Sequence, residues 1–137
     1  MPAIVLIEDN RPPLGYTKSS GHLVLDVKMN FTFKARWVKD GHLSPDPIDS
    51  NFAGVVSRES IRIIFTYAAL NGLDLCAADI KSAYLQAPTS EKHYIICGEG
   101  LTLEIQGKIG IIKRALYGGK SAVSDYWKHM RTCMEHL

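Results

Sequence analysis

The sequence predicts an α+β fold, and three observations carry that prediction. Residues 22–38 read as two extended halves about Asn30, residues 57–72 space their apolar side chains as a helix does, and short apolar runs follow at 93–97 and 108–119. A chain of 137 residues supports one hydrophobic core more readily than two, so a single domain over 1–137 is expected. With 46% hydrophobic and 22% charged residues, neither disorder nor a fibrous repeat is indicated. The net charge of +2 is too small to announce a nucleic-acid partner by itself. Cys76, Cys97 and Cys133 are odd in number and widely spaced, which favours a reduced, cytoplasmic or otherwise intracellular setting over a disulfide framework. The run Ala3–Ile7 ends at Glu8-Asp9, too short for a signal peptide or membrane span, so no membrane partner is expected.

Taken in order, "AIVLI" reads as a short strand, and the segment after it is a loop punctuated by Pro12, Pro13, Gly15 and Gly21. In the hairpin, Phe31, Phe33, Ala35 and Trp37 alternate with Thr32, Lys34, Arg36 and Val38, so Lys34 and Arg36 share a face. "KDGHLSPDPIDSN" is a loop expected to be exposed. In "SRESIRIIFTYAALNG", Ser57 suits the helix N-cap, Glu59 the positive end of the dipole, and Asn71-Gly72 the stop. Ile61, Ile64, Phe65, Ala68 and Ala69 form its apolar stripe, expected to be buried.

"LDLCAADI" reads as the next strand, with Leu73, Leu75, Ala77 and Asp79 on one face and Asp74 on the other. "HYIIC" and "KIGIIKRALYGG" supply further extended runs, and Ala122, Tyr126, Met130 and Cys133 mark a C-terminal helix. Asp79 is open to two readings: a strand-end carboxylate capping the following turn, or a hard-oxygen magnesium ligand beside a phosphate-receiving turn. Residue types alone leave both standing.

Several linked stretches resemble the reverse transcriptases of copia-type retrotransposons. These are "DVKMNFTFKARWVKDGH", "GVVSRESIRIIFTYAALNGLDLCAADIKSAYLQAP" and "IIKRALYGGKSAVSDYW", in that family's order, from about Pro13 onward; residues 1–12 lie outside the resemblance. The resemblance implies an incomplete right-hand polymerase fold: a fingers β-hairpin plus a partial palm sheet with packed helices. It implies RNA-directed DNA polymerase chemistry, a nucleotidyl transfer, with RNA template, DNA primer and deoxynucleoside triphosphates as partners and Mg2+ as cofactor. The remaining palm and RNase H region of a parent polyprotein are implied partners too, and a virus-like particle or nucleus an implied setting.

On this resemblance Asp79 matches the first catalytic, metal-binding aspartate, and the carbonyl of Ile80 supplies a further metal ligand. Tyr84 matches the aromatic gate beneath the incoming sugar, where it would disfavour a 2′-hydroxyl, with small Ser82 and Ala83 before it. Arg36 matches the fingers arginine that reaches the triphosphate, with Lys34 as a second cation. Gly118 and Lys120 fall in the segment beside the templating pair. Val123 stands where the family usually has Pro, and Gly119 where it usually has Leu. The family's Tyr-x-Asp-Asp turn is not found in the sequence. Two magnesium ions need several converging carboxylates, and Asp74, Glu91, Glu99 and Glu8-Asp9 do not read as substitutes. The chain by itself is therefore expected to be inactive as a polymerase.

Other readings fare worse. "IVLIEDN" and "LVLDVKMN" mimic a phosphoacceptor receiver domain, but Asp9 and Asp26 are too close in sequence for a strand, crossover helix and second strand. His129, Cys133 and His136 share a helical face, a pattern more often packing than zinc. Nucleic-acid binding without chemistry, through the cationic hairpin, is the alternative function.

Overall fold

The computed structural model describes residues 2–47, 51–98 and 101–136. The period-two run folds back on itself as β3 (Gly21–Val27) and β4 (Phe33–Lys39), preceded by β1 (Ile4–Leu6) and β2 (Thr17–Lys18). Asp26 stands opposite Lys34 and Val24 opposite Arg36. Directly opposed residues of an antiparallel pair project to one side, so Lys34 and Arg36 do share a face. The turn is closed by Lys28 N–H donating to Thr32 O at 3.0 Å, and Asn30 Oδ1 accepts from Thr32 N–H at 3.2 Å. Phe31, at φ +59°, belongs to that turn and leaves the alternation.

The second sheet runs β1-β6-β5-β2, with β5 at His93–Ile96 and β6 at Ile109–Ile112. β6 pairs antiparallel with both neighbours, matching Ile4 to Ile112 and Tyr94 to Ile111. β2 joins β5 in parallel, where the sequence read only as loop. The core cluster Ile95, Cys97, Ile112 and Leu116 gathers Ile4, Trp37, Leu85 and Ile105 around it. A second cluster, Ala87, Ala115 and Ala122, lets α2 (Ala83–Gln86) approach α3 (Ala122–Glu135), with Tyr84 and Tyr126 packed on it. Along α3, Ala122 is buried, Tyr126 and Met130 are half-buried, and Cys133 is exposed.

α1 (Arg58–Leu70) has the predicted ends: Ser57 Oγ accepts from Ser60 N–H at 3.0 Å, and Asn71-Gly72 stops it with Gly72 at φ +61°. Its expected buried face is a correction. Only Ala68 is buried, while Ile61, Ile64 and Phe65 are 40–59% exposed, because no other helix or strand packs on α1 among the described residues.

The strand expected at 73–80 is the second correction. That segment has no helix or strand and is exposed throughout. A strand needs a neighbour to satisfy its N–H and C=O groups, and the described residues offer none there. The loop after β4 is also less exposed than expected, since Gly41 and Ser44 are buried; residues 48–50 of it, and Glu99, lie outside the described residues. No helix among the described residues is long and apolar enough to cross a membrane.

Candidate functional site

Four side chains, from β4, α2, α3 and the turn after β6, form one chain of contacts. The Arg36 guanidinium, on β4, lies 5.9 Å from the Tyr117 ring centroid. Tyr117 meets Tyr84 of α2 edge-on at 5.1 Å, and Tyr84 meets Tyr126 of α3 edge-on at 5.9 Å. Edge-to-face rings and a cation over a ring face are favourable arrangements of the aromatic quadrupole. The hairpin cation and the predicted gate tyrosine are therefore joined, through Tyr117. The sequence reading missed Tyr117 and Tyr126 as members; the place of Tyr117 directly before Gly118 in "LYGG" was the available signal.

Gly118 makes the junction between the hairpin and the segment after β6 possible. Its φ is +81°, and a Cβ there would stand 2.1 Å from the Lys39 carbonyl oxygen. The backbones lie close because Lys39 N–H donates to Tyr117 O at 2.7 Å. Lys120 turns toward the loop after β4, donating to Ser44 O at 2.7 Å and Asp46 Oδ1 at 2.8 Å. The hydrogen bond from Lys120 and its charge hold Asp46 below the ordinary carboxylate range; this exposed pair adds little stability.

Ser82, at φ +53° and ψ +46°, is the left-handed residue from which α2 starts, and Ala83 opens the helix. For a residue with a Cβ this conformation is uncommon, and it turns the chain sharply between Asp79 and Tyr84. Asp79 and Ile80 stand on the exposed approach to that turn, outside the Arg36–Tyr117–Tyr84–Tyr126 contacts. Lys34 is half-buried on β4, opposite Asp26. The structure thus brings Arg36, Tyr84 and Gly118 to one junction and leaves Asp79, Ile80, Lys34 and Lys120 at its margins.

Beside the junction lies a buried charged group the sequence did not reveal. The Lys39 ammonium contacts Glu91 Oε2 and His93 Nδ1, and His93 Nδ1 is 3.2 Å from the same oxygen. Burial pushes the Glu91 carboxyl up, but the contacts of His93 and Lys39 outweigh it and hold the pKa at about 2. Cys97, in the core, has its thiol pushed up by burial; Cys76 and Cys133 are exposed, and all three are free thiols. His129 Nε2 is 3.8 Å from Cys133 Sγ, and no cluster of three His, Cys, Asp or Glu able to hold a metal occurs among the described residues.

The family model for reverse transcriptase (RNA-dependent DNA polymerase) matches residues 4–137. The chain belongs to the reverse transcriptase family. Its match begins at the first residue of β1, the strand that pairs with β6. The chain is 32% identical over 108 residues to the retrovirus-related Pol polyprotein from transposon TNT 1-94 of Nicotiana tabacum. That match covers 75% of the chain and 8% of the polyprotein, and it puts the chain with the copia-type retrotransposon reverse transcriptases. No solved structure matches it.

Proposed function

We propose that this chain forms the nucleotide-facing half of an RNA-directed DNA polymerase site: β3–β4 acts as fingers hairpin, and the β1-β6-β5-β2 sheet with α2 and α3 as part of a right-hand palm. The observation that carries this reading is the Arg36–Tyr117–Tyr84 contact chain, which links a phosphate-suited cation to an aromatic that suits a sugar. Arg36, with Lys34 behind it, holds the triphosphate; Tyr84, on the turn made by Ser82 and Ala83, packs under the sugar and disfavours a 2′-hydroxyl. Gly118 lets the segment carrying Tyr117 and Lys120 close on the hairpin, beside the templating pair.

Asp79 and the Ile80 carbonyl are hard oxygen donors of the kind magnesium takes. They suit that ion in kind and fall short in number, since one carboxylate does not hold two ions and the described residues bring no cluster to it. When bound, magnesium would neutralise charge on the phosphate oxygens. The chain by itself then binds nucleotide weakly and extends no primer, and further carboxylates of a longer polyprotein complete the site. RNA template, DNA primer and the RNase H region are the corresponding partners.

The test is titration of the purified chain with a fluorescent deoxynucleoside triphosphate, with and without magnesium. Asp79→Asn should abolish the magnesium dependence, and Arg36→Ala should weaken binding by roughly tenfold, the loss of one charge-assisted contact. Indistinguishable titrations for wild type and both variants would remove the proposal. Primer extension that depends on Asp79 would refute inactivity of the chain alone.

A further inference from the structure

Lys39 ends β4, Glu91 lies in the turn before β5, and His93 opens β5. Their side chains are 2%, 9% and 9% exposed. Lys39 and His93 both converge on Glu91 Oε2, whereas the buried Oε1 has no hydrogen-bond partner among the described residues. Such a group is a poor way to gain stability. Desolvation offsets much of the attraction of a buried ion pair, and an unpaired buried oxygen adds to the cost. What it does supply is a restricted geometry.

That geometry falls where the hairpin meets the sheet. Trp37 packs on the Ile95–Leu116 cluster, and the Lys39 N–H bonds to Tyr117 O, next to Gly118. Farther out, Leu25, Val27 and Phe33 are 54–86% exposed, so the hairpin's orientation is set at its base. From the other side, Asp125 of α3 accepts from Ser90 N–H at 3.0 Å and from Ser121 Oγ at 2.9 Å, fixing the segment that carries Glu91. Arg114 lines the same small cavity as Lys39, Glu91 and His93, with its guanidinium donating to Gln86 O at 2.7 Å.

We infer that Glu91 is a positioning residue: by holding Lys39 it sets the orientation of the β3–β4 hairpin on the sheet, and with it the approach of Arg36 to Tyr117. The consequence for nucleotide binding rests on the function proposed above; the orientation itself does not. A Trp127→Phe background leaves Trp37 as the single tryptophan of the two in the chain, a reporter on β4.

In that background, Glu91→Gln should raise acrylamide quenching of Trp37 and speed amide exchange over 36–39 by roughly tenfold, with β5–β6 amides unchanged. If Glu91→Gln does not fold, Lys39→Met with Glu91→Leu, which leaves no buried charge unpaired between those two, is expected to give the same local loosening. Unchanged quenching and exchange in the folded variant would overturn the inference. So would uniform acceleration across the chain, which marks a merely structural role. Nucleotide titration in parallel separates the two ideas: a wild type that binds none defeats the proposed function, while Trp37 still decides on Glu91.

Discussion

The Tyr84 ring stands edge-on to Tyr117, 5.1 Å between centroids and 68° between planes, and so ties the turn after Asp79 to the turn before Gly118. Tyr126 holds it from another side. Tyr84→Ala removes both ring contacts and half-buried area and should cost about 2–3 kcal/mol in urea unfolding. Tyr84→Phe keeps the rings and should cost under about 1 kcal/mol. Equal losses for the two would mean that the rings are not what holds the junction.

Gly118 and Gly72 separate two costs. Both have positive φ, but a Cβ on Gly72 meets nothing within 4 Å, whereas one on Gly118 strikes the Lys39 carbonyl. Gly72→Ala should therefore lose about 1 kcal/mol, the conformational cost alone, and Gly118→Ala more than about 2 kcal/mol. Thermal unfolding of the two variants checks the difference.

Acid should weaken the fold through Glu91. Its folded pKa lies below the ordinary value of 4.5, at about 2, so its contribution is present above 4.5 and is lost as pH falls toward 2. The full effect is on the order of 3 kcal/mol. Denaturant midpoints measured from pH 7 to pH 3 should fall in the wild type, and the fall should be smaller in Glu91→Gln.

α1 should be the least protected long helix. Thirteen residues make a marginal helix without a packed face, and its apolar stripe is open. Its amides should exchange faster than those at the start of α3, where Ala122, Ser124 and Asp125 are buried. Ser57→Ala should cost about 1 kcal/mol of helix stability and widen that gap. Equal protection in the two helices would contradict this.

The hairpin, both ends of α1 and the C-terminal helix were legible because each is specified locally, by alternation, caps or helical spacing. β2 was not: Thr17–Lys18 is a strand only because β5 lies beside it. At 73–80 the pattern was strand-like but the described chain gives it no ladder partner, so local pattern overstated structure. Of the candidate site, the shared face of Lys34 and Arg36 followed from period two, while the link through Tyr117 needed tertiary contact. Glu91 read as a loop acid; its spacing of two from His93, at the edge of an apolar run, was the only hint that both turn inward.

The pairing of Ile4 with Ile112 also sets a clock. A ribosome adding about 5–20 residues per second makes β1 roughly 5–20 s before its partner β6 exists. For that interval "AIVLI" is an apolar strand with both edges open, a template for pairing with other nascent chains. Yield should therefore depend on how crowded and how fast synthesis is, with slower, cooler expression and chaperone supply favouring the completed sheet.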